Sequence, residues 1–467
     1  MSGAASCPLF LGACLGALTA CTLGPRYHRP DIPAPEAWLT PSDASAQQWP
    51  TSEWWRGFES RDLNELIGQA QRANDDLRAA IARVQQADAQ RRIAGAPLLP
   101  ALDAHAQATR ARAAVSSGGA DVTGNDFSPL LSASYELDFW GKNRAALAAA
   151  SAAARASRYD RTTVELAVMA GVATSYFQAL ELRDRLGVAE ANLANAAKVL
   201  EGLRLERTAG TATALDVAQQ ETVVATLNAA IPPLRSQLRQ SLDALAILVG
   251  STPEAVDVTH GSLDDLAQPQ VRPGLPAELL ARRPDVAFAE AQLIGANANI
   301  AAARAAFLPS ISLTATGGYE SAALASLLTP ANRVWSLAAG VTQPIFQGGA
   351  LLGQYQLTKG RYEELLADYH KAVISALANV EDALIALQQT AEQVQRQQQA
   401  ADQAQRAYEF AQAQMRAGTI NILTLLNTET ALFSARDALA QAKYAHLQSL
   451  VSLYQALGGG WQQGEPP

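Results

Sequence analysis

Ala94-Gly-Ala-Pro-Leu-Leu-Pro-Ala-Leu102 reappears as Ala303-Arg-Ala-Ala-Phe-Leu-Pro-Ser-Ile311. Working outward, Asp76-Leu77 recurs as Asp285-Val286. Arg207-Thr-Ala-Gly-Thr211 recurs as Arg416-Ala-Gly-Thr419, and Leu248-Val-Gly250 as Ala456-Leu-Gly458. The step stays at about 208 residues, far beyond the ~20–50 of solenoid repeats. Each copy holds short alternating segments and then a very long proline-free stretch. Such a half cannot close a core by itself, so the duplication points to a larger assembly of similar wedges.

The long stretches set the architecture. No proline occurs from Leu130 to Ile231, or from Ile345 to Glu465. Asn143 to Arg207 reads as one helix of roughly 100 Å at about 1.5 Å per residue, and Leu351 to Arg416 as its equal. Each ends at an Ala-Gly-Thr turn, where Gly210 or Gly418 can adopt the left-handed conformation that stops a helix. Each then returns, over about Ala214 to Val249 and Leu423 to Leu457. Aromatics are only 6% of the chain, which suits long helices packed closely through alanine better than a thick globular core. A plain structural coiled coil would share these features, but would leave the strands and the leader unexplained.

Before each long helix lie two alternating segments. Leu102, Ala104, Ala106 and Ala108 alternate with Asp103, His105, Gln107 and Thr109. Leu131, Ala133, Tyr135, Leu137 and Phe139 alternate with Ser132, Ser134, Glu136 and Asp138. The second copy offers Ile311, Leu313 and Ala315 against Ser312, Thr314 and Thr316. It adds Trp335, Leu337, Ala339 and Val341 against Ser336, Ala338, Gly340 and Thr342. Period two over about ten residues is the pattern of a transmembrane β-strand, and equally of a half-buried soluble hairpin. Ser116 to Asp126 reads as an exposed loop. Four strands cannot close a barrel, since the smallest bacterial ones use about eight. An open edge is not viable in lipid, so strands of this kind demand several chains sharing one barrel.

All three cysteines, Cys7, Cys14 and Cys21, fall in the first 21 residues. Leu9 to Ala20 is apolar, of signal-peptide length and too short to span a bilayer. It ends in Leu18-Thr19-Ala20-Cys21, which resembles a bacterial lipobox with Cys21 as the acylated mature N-terminus. Met1 to Cys7 lacks the usual Lys or Arg, and a plain cleaved signal is the alternative. Prolines at 25, 30, 33, 35, 41 and 50 then favour extended chain, read as a tether. Helix follows over Leu63 to Ile93, with Asp62 as the expected N-cap.

A net charge of −8 gives no electrostatic footprint for nucleic acid. The five histidines (28, 105, 260, 370, 446) have no metal-ligand spacing. No nucleophile motif and no phosphate-binding glycine loop is present, and Gly348-Gly349 reads as a strand-to-helix turn. No enzyme activity and no cofactor are expected. Ser251 to Pro273 is broken by proline and glycine. It leads into a helix starting at Pro284, with Asp285 at the positive helix end; helix punctuation accounts for these residues.

Three motifs together carry a resemblance: Leu275-Pro-Ala-Glu-Leu-Leu-Ala-Arg-Arg-Pro-Asp285, Cys21-Thr-Leu-Gly-Pro-Arg-Tyr27, and the two hairpin turns at Arg207 and Arg416. The chain resembles an outer-membrane efflux channel of the TolC/OprM type, in the NodT-like lipoprotein branch. The match runs from Cys21 to Gly460. It implies a mainly α fold with a membrane β-barrel portion, built from a duplicated unit of β-hairpin plus long α-helical hairpin. It further implies a homotrimer with one 12-stranded barrel and a helical tunnel across the periplasm. The expected partners are a periplasmic adaptor (membrane-fusion protein), an inner-membrane pump of the resistance-nodulation-division type and outer-membrane lipid, with passive conduction of drugs or other small molecules. A type I protein-secretion channel and, from another class, the periplasmic adaptor itself are the alternatives.

The expected division is a signal peptide at 1–20, then a lipid-anchored extended tether and equatorial segment at 21–60. The first repeat is 61–250, with strands at about 101–112 and 130–140 and a hairpin at about 143–249. An equatorial insert at 251–282 precedes the second repeat, 283–460, with strands at about 310–320 and 334–346 and a hairpin at about 351–457. Residues 461–467 form a tail. Adaptor docking is expected at Arg207, Gly210, Thr211, Leu215, Arg416, Gly418, Thr419 and Leu423, with the arginines and threonines offering donors; alternatively these are simply good turns. The relatives' acidic gate positions fall here on Thr424 and Asn427, both neutral. Asp216 is the acid at the corresponding first turn, either a gate carboxylate or an exposed helix-start carboxylate.

Overall fold

The computed structural model describes residues 24–33, 35–40, 49–113, 122–258, 260–271 and 274–462. The expected signal peptide, Cys21 and residues 463–467 lie outside the described residues. The main elements are α1 (Arg61–Ala73), α2 (Asp75–Gly95), β1 (Ala101–Ala113), β2 (Val122–Leu137), α3 (Lys142–Thr208) and α4 (Ala214–Leu248). They continue as α5 (Pro284–Ala305), β3 (Ser310–Tyr319), β4 (Arg333–Thr342), α6 (Ala350–Arg416) and α7 (Ile422–Ala456). The duplication is regular. Helices α3 and α6 are both 67 residues long and start 208 residues apart; α4 and α7, both 35 residues, keep the same 208-residue step.

Several elements depart from the sequence reading. The helix expected from Leu63 to Ile93 is two, broken at Asn74, whose extended backbone leaves its side chain free to accept from the Leu77 amide at 2.9 Å. Ser60, not Asp62, is the N-cap; its hydroxyl accepts from the Leu63 amide at 3.2 Å. Strand β2 begins at Val122 and ends at Leu137, so part of the expected loop is strand. Pairing from Ala113↔Val122 onward satisfies backbone groups there, which outweighs the poor strand propensity of Gly124, Asn125 and Asp126. Strand β4 stops at Thr342, ahead of Pro344, which has no N–H for a ladder.

The chain divides into two compact units, and they are not the two repeats. One comprises Met1–Asp31, Arg83–Arg158 and Phe288–His370; the other comprises Ile32–Ala82, Tyr159–Ala287 and Lys371–Pro467. The first holds a four-stranded antiparallel sheet in the order β1-β2-β3-β4. Its central pairing, Leu130↔Gly318 to Leu137↔Ile311, joins the two copies. One row across the sheet reads Leu102, Ala133, Ala315, Leu337; the next reads Asp103, Ser132, Thr316, Ser336. In these rows the apolar and the polar face each run across all four strands, and Thr316 and Ser336 share a 2.7 Å hydroxyl contact on the polar one. Trp335, Leu337 and Val341 stand 70–78% exposed on the apolar face.

Strand-to-helix turns launch the long helices. Asp138 accepts from the Asn143 and Arg144 amides at 2.8 and 2.9 Å, satisfying first-turn donors with a negative charge at the positive helix end. Gly141, at φ +80°, makes that turn possible; Gly348 and Gly349 serve the same function before α6. Within this unit Gly295 lets α5 approach Ala149 and Ala152 of α3 closely.

The second unit has an aromatic core. Trp54 and Phe58 are buried in a short 3-10 turn, Trp54–Phe58. Trp54 stacks on Tyr454 at 4.9 Å between centroids, and Phe58 packs on Phe177 at the same distance. Complete burial of a ring such as Phe58 stabilises by about 2–3 kcal/mol. Part of the segment read as tether is thus a core element.

Candidate functional site

The two hairpin tips fold alike from their sequences. At the first, Gly210 has φ +80°. Its amide donates to Arg207 O at 3.1 Å, and the Thr211 amide donates to Glu206 O at 2.9 Å. At the second, Gly418 has φ +70°, with Gly418 N–H to Met415 O and Thr419 N–H to Gln414 O, both at 3.0 Å. This paired closure is a Schellman motif, which needs a residue tolerant of positive φ at the Gly position.

The return helices are capped by related means. Thr213 and Asp216 form a capping box: the Asp216 amide donates to Thr213 Oγ1 at 3.2 Å, and the Thr213 amide and hydroxyl both donate to Asp216 Oδ2, at 2.8 and 2.7 Å. Those bonds favour the carboxylate and hold Asp216 below its usual pKa. In the second copy Asn421 takes the place of Thr213. Its Oδ1 accepts from the Thr424 amide and hydroxyl at 3.0 and 2.9 Å. Thr424 therefore stands where Asp216 stands, in the first turn, and is neutral.

Arg207, Arg416, Thr424 and Asn427 are exposed, and Asp216 is half-buried. Leu215 and Leu423 occupy the same place in the two copies and are 64% and 51% exposed. The threonine donors differ from expectation. Thr211 Oγ1 already donates to Glu206 O at 3.0 Å and Thr419 Oγ1 to Gln414 O at 3.1 Å. A free surface at each tip thus consists of an arginine and a leucine, with the threonines spent on closing their own helix.

A family model described as "Outer membrane efflux protein" matches residues 66–251 and 275–459. The chain belongs to the outer membrane efflux protein family. The chain is 41% identical over 459 residues to the pyoverdine export outer membrane protein OpmQ of Pseudomonas aeruginosa, covering 97% of this chain and 96% of that protein. It is 31% identical over 450 residues to the cation efflux system protein CusC of Escherichia coli, covering 95% and 97%. Among solved structures it is similar to the outer-membrane channel OprN, with a TM-score of 0.89 at 28% identity, over 95% of this chain and 100% of that one. The resemblance read from the motifs is thereby established, and the mainly α fold with its duplicated hairpins is that of TolC-like channels. The adaptor alternative is overturned, since the family is the channel's own.

Some residues with structural weight escaped the sequence reading. Arg283, read as part of the family motif and as helix punctuation but given no partner, is buried and donates to Ala456 O at 3.0 Å and to Asp285 at 2.6 and 2.9 Å. Arg185 of α3 crosses to Asp437 of α7 at 2.6 Å. Glu429 of α7 is fully buried, as is Gln220 of α4. A signal for Glu429 was present: it is the lone acid within Leu425, Leu426, Leu432 and Phe433 at helical spacing.

Proposed function

We propose that three copies of this chain close one 12-stranded barrel in the outer membrane, continued by a helical tunnel, and passively conduct what a periplasmic adaptor and an inner-membrane pump deliver. The observation that carries this reading is the sheet. Its four strands present one continuous apolar face to solvent and leave β1 and β4 each with an unpaired edge. In lipid both edges need partners, and identical neighbours arranged as a ring supply them. The arginine–leucine tips serve as adaptor contacts, with Asp216, Thr424 and Asn427 near the narrow end. Cys21 anchors the chain by lipid. In support, Gly24, three residues later, packs on Ala301 shortly before β3 begins, and Tyr27 and Arg29 reach Glu290 at 3.3 and 3.2 Å.

Named relatives concern pyoverdine, cations and, in one case, toluene. That spread suits a conduit whose client is selected by the pump, here a small molecule delivered by a pump of the resistance-nodulation-division type. The test is mass and conductance together. Light scattering of the detergent-solubilised protein should give three chains, and planar bilayers should show channels. A monomer with full conductance would overturn the shared barrel.

A further inference from the structure

Two turns into α7, Glu429 lies inside an apolar cluster with Leu203 of α3, Val217 of α4 and Tyr408 of α6. Its side chain is wholly buried, and neither carboxylate oxygen completes a hydrogen bond among the described residues. Gln220 and Tyr408 face it, and the Tyr408 hydroxyl favours its charged form, but burial dominates and pushes its pKa up to about 7. Of its two facing neighbours, the Tyr408 hydroxyl is the uncommitted donor. Gln220 Nε2 is engaged, donating to Ala196 O of α3 at 2.8 Å, while Gln220 Oε1 has no donor. Tyr408 is the titratable group facing Glu429 from α6, Gln220 the polar group from α4, and Ala196 O the acceptor on α3. Burial, Gln220 and Tyr408 are what act on Glu429; Arg204 pairs with Glu221 at 2.8 Å on the surface, and Arg436 donates to Gln405 at 2.7 Å and acts on Tyr408.

A buried carboxylate without full hydrogen bonding is costly, and a neutral acid beside an empty acceptor is not. We propose that Glu429 is a proton-operated latch between the two helical hairpins. The neutral acid donates its O–H to Gln220 Oε1, tying α7 to α4 and, through Gln220 Nε2, to α3. When the proton leaves to solvent, a carboxylate remains in the cluster and the junction loosens.

The sign follows from linkage. The ordinary glutamate value is 4.5, so the packed hairpins hold a proton that the opened ones release between about 4.5 and about 7. The packed arrangement is favoured at acid pH, weakens as pH rises through that window, and carries the whole penalty above it.

Infrared difference titration of the full chain in detergent reads this directly. A protonated-carboxyl stretch should vanish with a midpoint near 7 and be missing in Glu429→Gln. Tyr408→Phe removes a group that favours the charge, so it should move the midpoint to higher pH. Backbone amides of α7 should exchange up to about tenfold faster at pH 8 than at pH 6 after correction for intrinsic rates, given a shift of this size. No carboxyl band that Glu429→Gln removes, or a midpoint unmoved by Tyr408→Phe, overturns the latch; so does equal protection at both pH values. Opening of single channels with rising pH is a further readout that rests on the channel reading. Silent bilayers with an intact infrared titration would count against conduction and leave the latch standing.

Discussion

Arg283 donates from Nη1 to the carbonyl oxygen of Ala456, the last residue of α7, at 3.0 Å. The first copy solves the same problem differently: Asn74 Nδ2 donates to the carbonyl of Leu248, the last residue of α4, at 2.8 Å. In each copy the residue just ahead of the short helix satisfies an orphan carbonyl at the end of the return helix. The glycines that follow permit this closeness. A Cβ on Gly250 would meet Ala73 O, and one on Gly458 would meet Arg282 O.

Arg283→Ala should therefore destabilise the folded chain by about 2–4 kcal/mol, because it strips a buried carbonyl of its donor and leaves Asp285 without its partner. Denaturant titration of the solubilised protein measures this. Arg283→Lys should recover only part, since one ammonium cannot serve Asp285 in two places and reach Ala456 as well. A full recovery by lysine would show that only charge matters.

Gly418→Pro and Gly210→Pro should abolish efflux while outer-membrane assembly persists. Both glycines sit at positive φ, which proline cannot adopt, and both lie far in sequence from the strands. Drug accumulation in cells and assembly state on mild gels check the two halves. Unimpaired efflux in both variants would mean that docking does not use the tips.

Trivalent cations should block the channel only weakly from the periplasmic side. In the proposed trimer the neutral Thr424 and Asn427 would leave one ring of Asp216 and a shallow negative potential. Asn427→Asp should strengthen the block in planar bilayers. Tight block of the unaltered protein that persists in Asp216→Asn would place the constriction on other residues.

Cys21→Ser should abolish acyl labelling. Intact mass of the mature protein should show an N-terminus at Cys21 carrying acyl mass. An unacylated N-terminus elsewhere would remove the lipid anchor from the account.

The duplication, the long helices, their glycine stops and the two-faced strands were legible in the sequence, because each is a local property. Helix length follows from the absence of proline, the stop from a glycine at a required positive φ, and the two faces from a period of two. What depends on residues distant in the chain was not legible. Strand β2 joins β3 across a connection of 172 residues between Leu137 and Ser310, and no local pattern specifies that pairing. Glu221 and Glu429 hold the same place in the two copies, yet Glu221 is exposed and paired with Arg204 while Glu429 is buried beside Tyr408 and Gln220. The same holds for Arg283, whose acceptor at Ala456 lies 173 residues away. Burial and partner choice arise only when separate helices meet, so the tertiary structure alone decided which acid titrates near neutrality and which arginine holds a helix end.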